Sequence, residues 1–208
     1  MKFKNAYHGV KRIYTAEIMA IIGTIALLIG GIVALASAAE EEEEALASVG
    51  SGALVVALVG GLLLIVSFIM NLTGLKTASK DEEKFGTAYK FAIAGIIAGI
   101  LTAVPVDVVQ DIARGFDSIV SVIISLYVIS AVIILGRKLG NMLIIEKGKR
   151  IKLLIFIAFG CSILATVLGS FVMEGTLAAI LEIIGSAMMV IQYFLYLSFL
   201  GEAKRMLD

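Results

Sequence analysis

Six long apolar stretches dominate this chain, at roughly 18–38, 51–73, 88–106, 117–136, 151–172 and 177–200. About 20 consecutive apolar residues make a helix long enough to cross a hydrocarbon core. Backbone N–H and C=O groups find no water there, so a spanning segment has to satisfy them internally. The pattern predicts an all-α integral membrane protein, a six-transmembrane-helix bundle forming a single membrane domain over residues 1–208. Composition agrees, with 60% of residues hydrophobic, 16% charged and a mean hydropathy of +1.05. A soluble domain carries about a quarter charged residues.

The basic residues orient the bundle, because loops rich in Lys and Arg stay on the cytoplasmic side. Lys2, Lys4, Lys11 and Arg12 precede the first stretch, and Lys76, Lys80, Lys84 and Lys90 lie around the second connection. Arg137, Lys138, Lys147, Lys149, Arg150 and Lys152 surround the fourth connection, and Lys204 and Arg205 follow the last stretch. Only Arg114 of the 17 basic residues falls at the other end. An even number of spans explains that split, with both the N- and C-termini cytoplasmic in a plasma (inner) membrane.

Glu40 to Glu44 then sit at the outer tip of the first helical hairpin. Five successive carboxylates point around a helix and do not converge on one ion, whereas a calcium loop alternates its ligands and turns on a glycine. Alanine and glutamate are strong helix formers, so the first helix is expected to run through this segment and turn near Gly50 or Gly52. The "ASAA" before the glutamates resembles a signal-peptidase site. The apolar run ahead of it exceeds the 7–15 residues of a signal peptide, which favours an uncleaved anchor.

Residues 1–17 read as an amphipathic cytoplasmic-interface segment, with Phe3, Tyr7, Val10, Ile13 and Tyr14 near helical spacing and basic residues between them. His8 there is expected at the interface, with pH sensing as the rival role. Small residues four apart let helices approach closely in lipid. Ala94, Gly95, Ala98 and Gly99 contain a GxxxG pattern, and Gly160, Cys161, Ala165 and Gly169 form a second small face. This packing pattern predicts that the third and fifth helices are interior. Gly30–Gly31 and Gly60–Gly61 mark the first two helices. A shift of 62 residues carries Gly74, Lys76, Gly86 and Lys90 onto Gly136, Lys138, Gly148 and Lys152, which raises a possible tandem helical-hairpin repeat.

Ionisable groups within a span are costly and point to function. Glu182 lies within the sixth apolar stretch, about 9 Å inside a helix that starts near Thr176. It either snorkels to the outer surface or faces an outward cavity and pairs with Arg114. Asp107, Asp111 and Arg114 follow i, i+4, i+7 after Pro105, which suggests a short amphipathic helix. It is either a wet surface bearing an ion pair or a lid over a cavity where Asp107, Asp111, Arg114 and Glu182 converge. Glu17 reads as structural, near Lys11 and Arg12. Asn71, Gln192, Tyr193 and Tyr196 are candidates for hydrogen bonds between helices.

No HExxH, GxSxG or GK[ST] phosphate loop occurs. One cysteine and one histidine rule out a CxxC pair and leave a metal almost no ligands beyond carboxylates. The expectation is a protein without catalytic residues, metal or cofactor, and without a nucleic-acid partner. Its medium is the lipid bilayer. The leading reading is a transport-type protein that binds or moves a small solute or lipid through an outward-facing site at Glu182, Arg114, Asp107 and Asp111, or a membrane subunit of a larger transporter. The alternative is a non-catalytic interaction or regulatory protein with no ligand path. Further partners are a second membrane or cytoplasmic subunit or a homo-oligomer.

Overall fold

The structure, a computed structural model, describes residues 2–38, 43–101, 107–171 and 176–208. Side chains at 37–38, 43–51, 98, 101, 107–115, 117–118, 162, 165–171 and 176–182 lie outside that description. The described chain is helical: α1 (Lys4–Ala38), α2 (Glu43–Ala78), α3 (Glu83–Leu101), α4 (Asp107–Lys138), α5 (Met142–Phe171) and α6 (Thr176–Leu207). Four stretches are long and apolar enough to cross a membrane, within α1, α2, α4 and α6. The apolar runs of α3 and α5 extend into residues outside the described set.

Three expectations change. α2 begins at Glu43, so Gly50 and Gly52 lie inside a helix and do not form the first turn. A helix beginning Glu43-Glu44 puts acidic residues at its amino end, where the helix dipole favours them. Residues 107–116 are not a separate short helix; they are the first turns of α4, which is continuous to Lys138. Gly115 is the weakest helix former at that junction, and one glycine costs about 1 kcal/mol without breaking a helix. α1 likewise runs unbroken from Lys4, so the interfacial segment and the first span are one helix.

Contacts divide the chain into two units, Met1–Val10 with Leu75–Asp208, and Lys11–Gly74. In the larger unit α4 is the interior helix and touches α3, α5 and α6. Val128, Ile129, Ala131, Val132, Ile133 and Leu135 are all buried, an all-round apolar stretch. The expected interior helices, the third and fifth, are more open. A Cβ built at Gly99 or Gly160 would meet no atom within 4 Å. Gly148 of α5 is the close-packed glycine, where a Cβ would lie 2.7 Å from Ile133 Cγ1 and 3.2 Å from Phe199.

The turn from α4 to α5 is set by local sequence. Gly140 adopts φ +71°. The N–H of Asn141 donates to Gly136 O at 2.9 Å and that of Gly140 to Arg137 O at 3.1 Å. This is a Schellman ending, which needs the left-handed residue that glycine supplies. Asn141 Oδ1 then accepts from Ile144 N at 3.2 Å and caps the first turn of α5.

In the smaller unit α1 and α2 meet through glycine. A Cβ on Gly23 would stand 2.9 Å from Gly60 O, and one on Gly60 2.8 Å from Gly23 O. Gly30 fits against Ala53 and Ala57 in the same way. Ser67 Oγ donates to Ala16 O at 2.8 Å, and Asn71 Nδ2 to Glu17 Oε1 at 3.1 Å. These are the polar ties expected between helices in lipid. Gly31 and Gly61, the second member of each doublet, face open space.

Paired substitutions test this contact. Gly60→Ala should lower stability by about 1–3 kcal/mol, as overpacking does. Gly61→Ala should be neutral or raise stability by up to about 1 kcal/mol through helix propensity. Unfolding of both variants in mixed micelles with rising SDS reads the difference, and equal midpoints would show that the glycine contact is not limiting.

Candidate functional site

The four residues singled out at the acidic end are placed by their backbones only. Asp107, Asp111 and Arg114 occupy the first turns of α4, and Glu182 is the seventh residue of α6. Their side chains, and all of Glu40–Glu42, lie outside the described residues, so their convergence is not addressed by the structure. The polar geometry on view is at the basic end of the larger unit.

There the start of α1 is tied to the loop between α2 and α3. A helix leaves its first four N–H groups without intrahelical partners. Asp81 Oδ2 accepts from Ala6 N at 2.7 Å, and Oδ1 accepts from Asn5 Nδ2 at 2.9 Å. Asp81 therefore caps α1 from about 75 residues away and also sets a negative charge at the positive end of its dipole. The next residue, Glu82, pairs with Lys138 at the end of α4 at 2.9 Å. The Lys138 ammonium also sits 5.8 Å from the Phe3 ring centroid, with Lys2 at 5.9 Å. Phe3, Asp81, Glu82 and Lys138 thus join three separate chain segments. Beside them Ala6 and Val10 are fully buried, Tyr7 is half-buried against His8, and His8 is exposed.

A second tie links α5 to α6. Lys147 Nζ donates to Glu202 Oε1 at 2.6 Å and to Ser198 Oγ at 3.0 Å. Lys147, Glu202, Leu143, Glu146 and Arg150 line an open groove of about 420 Å³. At its edge Met142 and Leu143 are 70% and 79% exposed, apolar tips on a turn otherwise rich in charge.

A third cluster lies between α3, α4 and α5. Lys152 Nζ donates to Ser130 Oγ. Lys84 Nζ lies 5.7 Å from the centroid of the Tyr127 ring, which stacks on Phe91 at 5.9 Å. In the sequence, Lys84 and Lys152 read only as orienting charges. Their signal was available, because each adjoins an apolar run while Tyr127 and Ser130 lie at i, i+3 inside one. Pairing them, however, needs the packing of three helices.

Among the described residues no group of three His, Cys, Asp or Glu side chains could hold a metal ion. Cys161 is a half-buried free thiol. No family model, curated protein or solved structure matches the chain.

The cap at Asp81 makes a local prediction. Asp81→Ala removes the acceptor for Ala6 N and Asn5, and should loosen the first turns of α1 by about 1–2 kcal/mol. Faster amide exchange confined to residues 4–10 is the expected readout. Lys138→Ala removes a pair whose lysine is 45% exposed and should cost under about 1 kcal/mol.

Proposed function

We propose that the chain is a non-catalytic membrane protein of transport type with six spans and both termini on the cytoplasmic side of the plasma membrane. In this reading it binds or moves a small solute or lipid through an outward-facing site, or serves as the membrane subunit of a larger transporter. The acidic site consists of Glu182 on α6 with Asp107, Asp111 and Arg114 at the start of α4. The observation that carries the topology is the tie at the basic end. Phe3 and Ala6 near the N-terminus, Asp81 and Glu82 after α2, and Lys138 at the end of α4 all meet there. Helices α1 and α2 between the first two of those points make one crossing out and one back. So do α3 and α4 between the second and the third.

The subunit form would use the exposed apolar surface of α1 and α2. The most apolar stretches of α1 and α2 are 11% and 17% buried, against 44% for α4. Leu28, Ile32, Leu35, Leu54 and Leu62 are each more than half exposed. Lipid or other spanning helices account for such surface in a membrane protein.

Two experiments test the proposal. With Cys161 replaced by alanine, an impermeant thiol reagent added to intact cells should label Glu43→Cys and spare Ser79→Cys. The opposite pattern would invert the bundle. Native mass spectrometry of gently extracted protein should show a stoichiometric small molecule or lipid that disappears in Glu182→Gln. A partner protein retained equally in both forms would reject the solute site and leave the subunit form.

A further inference from the structure

The cluster between α3, α4 and α5 contains three cations and, among the described residues, no carboxylate paired with them. Lys84 and Arg137 both lie close enough to repel the Lys152 ammonium. Among the described residues none of the three forms an ion pair with a carboxylate, although Lys138 and Lys147 nearby both do. Lys84, Lys152, Tyr127 and Ser130 are half-buried, and Arg137 is exposed at the rim. Like charges gathered while partly withdrawn from water are unfavourable unless an opposite charge answers them. The Tyr127 ring face offsets part of this for Lys84, and the Ser130 hydroxyl accepts from Lys152 without neutralising it.

We propose that this cluster is a binding site for the phosphate group of an anionic phospholipid, held by the Lys84 and Lys152 ammoniums with Arg137 at its rim. Three features fit that ligand. Lys152 is the second residue of the apolar run 151–172, and Lys84 stands four residues before the run 88–106. Both therefore sit where apolar helix gives way to polar chain, the level of lipid headgroups. α5 begins at Met142, about 15 Å along the helix from Lys152, so further basic turns extend beyond the site. Tyr127 and Phe91 supply an apolar wall below the ammoniums, against which an acyl chain can lie. Basic pockets between transmembrane helices at the cytoplasmic face are a recurrent way to hold such headgroups. The inference does not depend on the acidic residues at the opposite end.

The test uses the purified full chain in detergent, titrated with phosphatidylglycerol or phosphatidylcholine and read by native mass spectrometry. Wild type should retain one phosphatidylglycerol in preference to phosphatidylcholine. K152Q should weaken that preference about fivefold, and K84Q/K152Q about 25-fold, from the usual contribution of one basic residue near an anionic lipid. K149Q, an exposed lysine on the same helix, should leave it unchanged. Circular dichroism checks that the variants are folded, and K152Q alone reads the site if the double variant is not. Inorganic phosphate is the competing probe. Displacement of phosphatidylglycerol by millimolar phosphate, with the same lysine dependence, keeps the anion site but assigns it to a soluble phosphate-bearing solute. Equal phosphatidylglycerol retention by wild type, K152Q and K84Q/K152Q would overturn the proposal.

Discussion

A bilayer core offers no hydrogen bonds, and the rest of this structure is arranged around that constraint. Each apolar run satisfies its own backbone by coiling, which removes most alternatives to helix before side chains are considered. What the constraint leaves open are the helix ends, where N–H and C=O groups still need partners. The chain settles these in different ways. Between α4 and α5 it uses local chemistry, a left-handed Gly140 followed by the Asn141 cap. At the start of α1 it uses a distant residue, Asp81, whose carboxylate reaches two donors. The first turn forms wherever α4 and α5 form. The second requires α1 and the α2–α3 loop to have come together, so it registers assembly of the unit.

Between the ends, packing depends on where backbones can approach. In water a helix reveals its buried face through apolar periodicity. In lipid both faces are apolar, and periodicity loses its meaning. α2 shows this directly, with exposed Leu54, Leu58 and Leu62 on one side and buried Ala53 and Ser67 on another. Small residues are then the remaining sequence signal, and they are an incomplete one. The doublets Gly30–Gly31 and Gly60–Gly61 were legible as contact points, but only Gly30 and Gly60 make the close approach. The GxxxG in α3 pointed to an interior helix, yet a Cβ at Gly99 meets nothing within 4 Å. The interior helix is α4, which has no GxxxG and whose Val-, Ile- and Leu-rich stretch has mostly serines as its small residues. Interior position there follows from neighbours on three sides, which a single helix does not encode.

Charge is legible in the sequence as a distribution but not as a set of pairs. The grouping of 16 of 17 basic residues around alternate connections is plain in the sequence, and the proposed orientation rests on it. That Glu82 meets Lys138 across 56 residues, or Lys147 meets Glu202 across 55, depends on which helix ends become neighbours. The 62-residue shift meets the same limit. It aligns Gly86 with Gly148, but a Cβ at Gly86 would touch only Ser79, while one at Gly148 would strike Ile133 and Phe199. Similar letters at helix ends arise from common topological demands, so their recurrence alone says little about packing.

The zero net charge of the chain hides an uneven distribution of charge along its sequence. Ten of the 17 acidic residues, Glu40–Glu44, Asp107, Asp111, Asp117, Glu174 and Glu182, fall in stretches of sequence whose one basic residue is Arg114. The remaining stretches keep a large cationic excess even after Asp81, Glu82 and Glu202 have found partners. Such an excess is costly to gather in a small space, and part of it is placed where solvent screens it weakly. Lys84 and Lys152 are that part, because they are turned toward Tyr127 and Ser130 instead of toward the carboxylates that Lys138 and Lys147 use. On the proposed orientation this end faces the anionic inner leaflet, whose surface potential lowers the energy of basic groups beside it. A membrane that supplies negative charge at the right level makes internal carboxylates unnecessary there. On that orientation the same excess can hold the lipid that surrounds the folded protein.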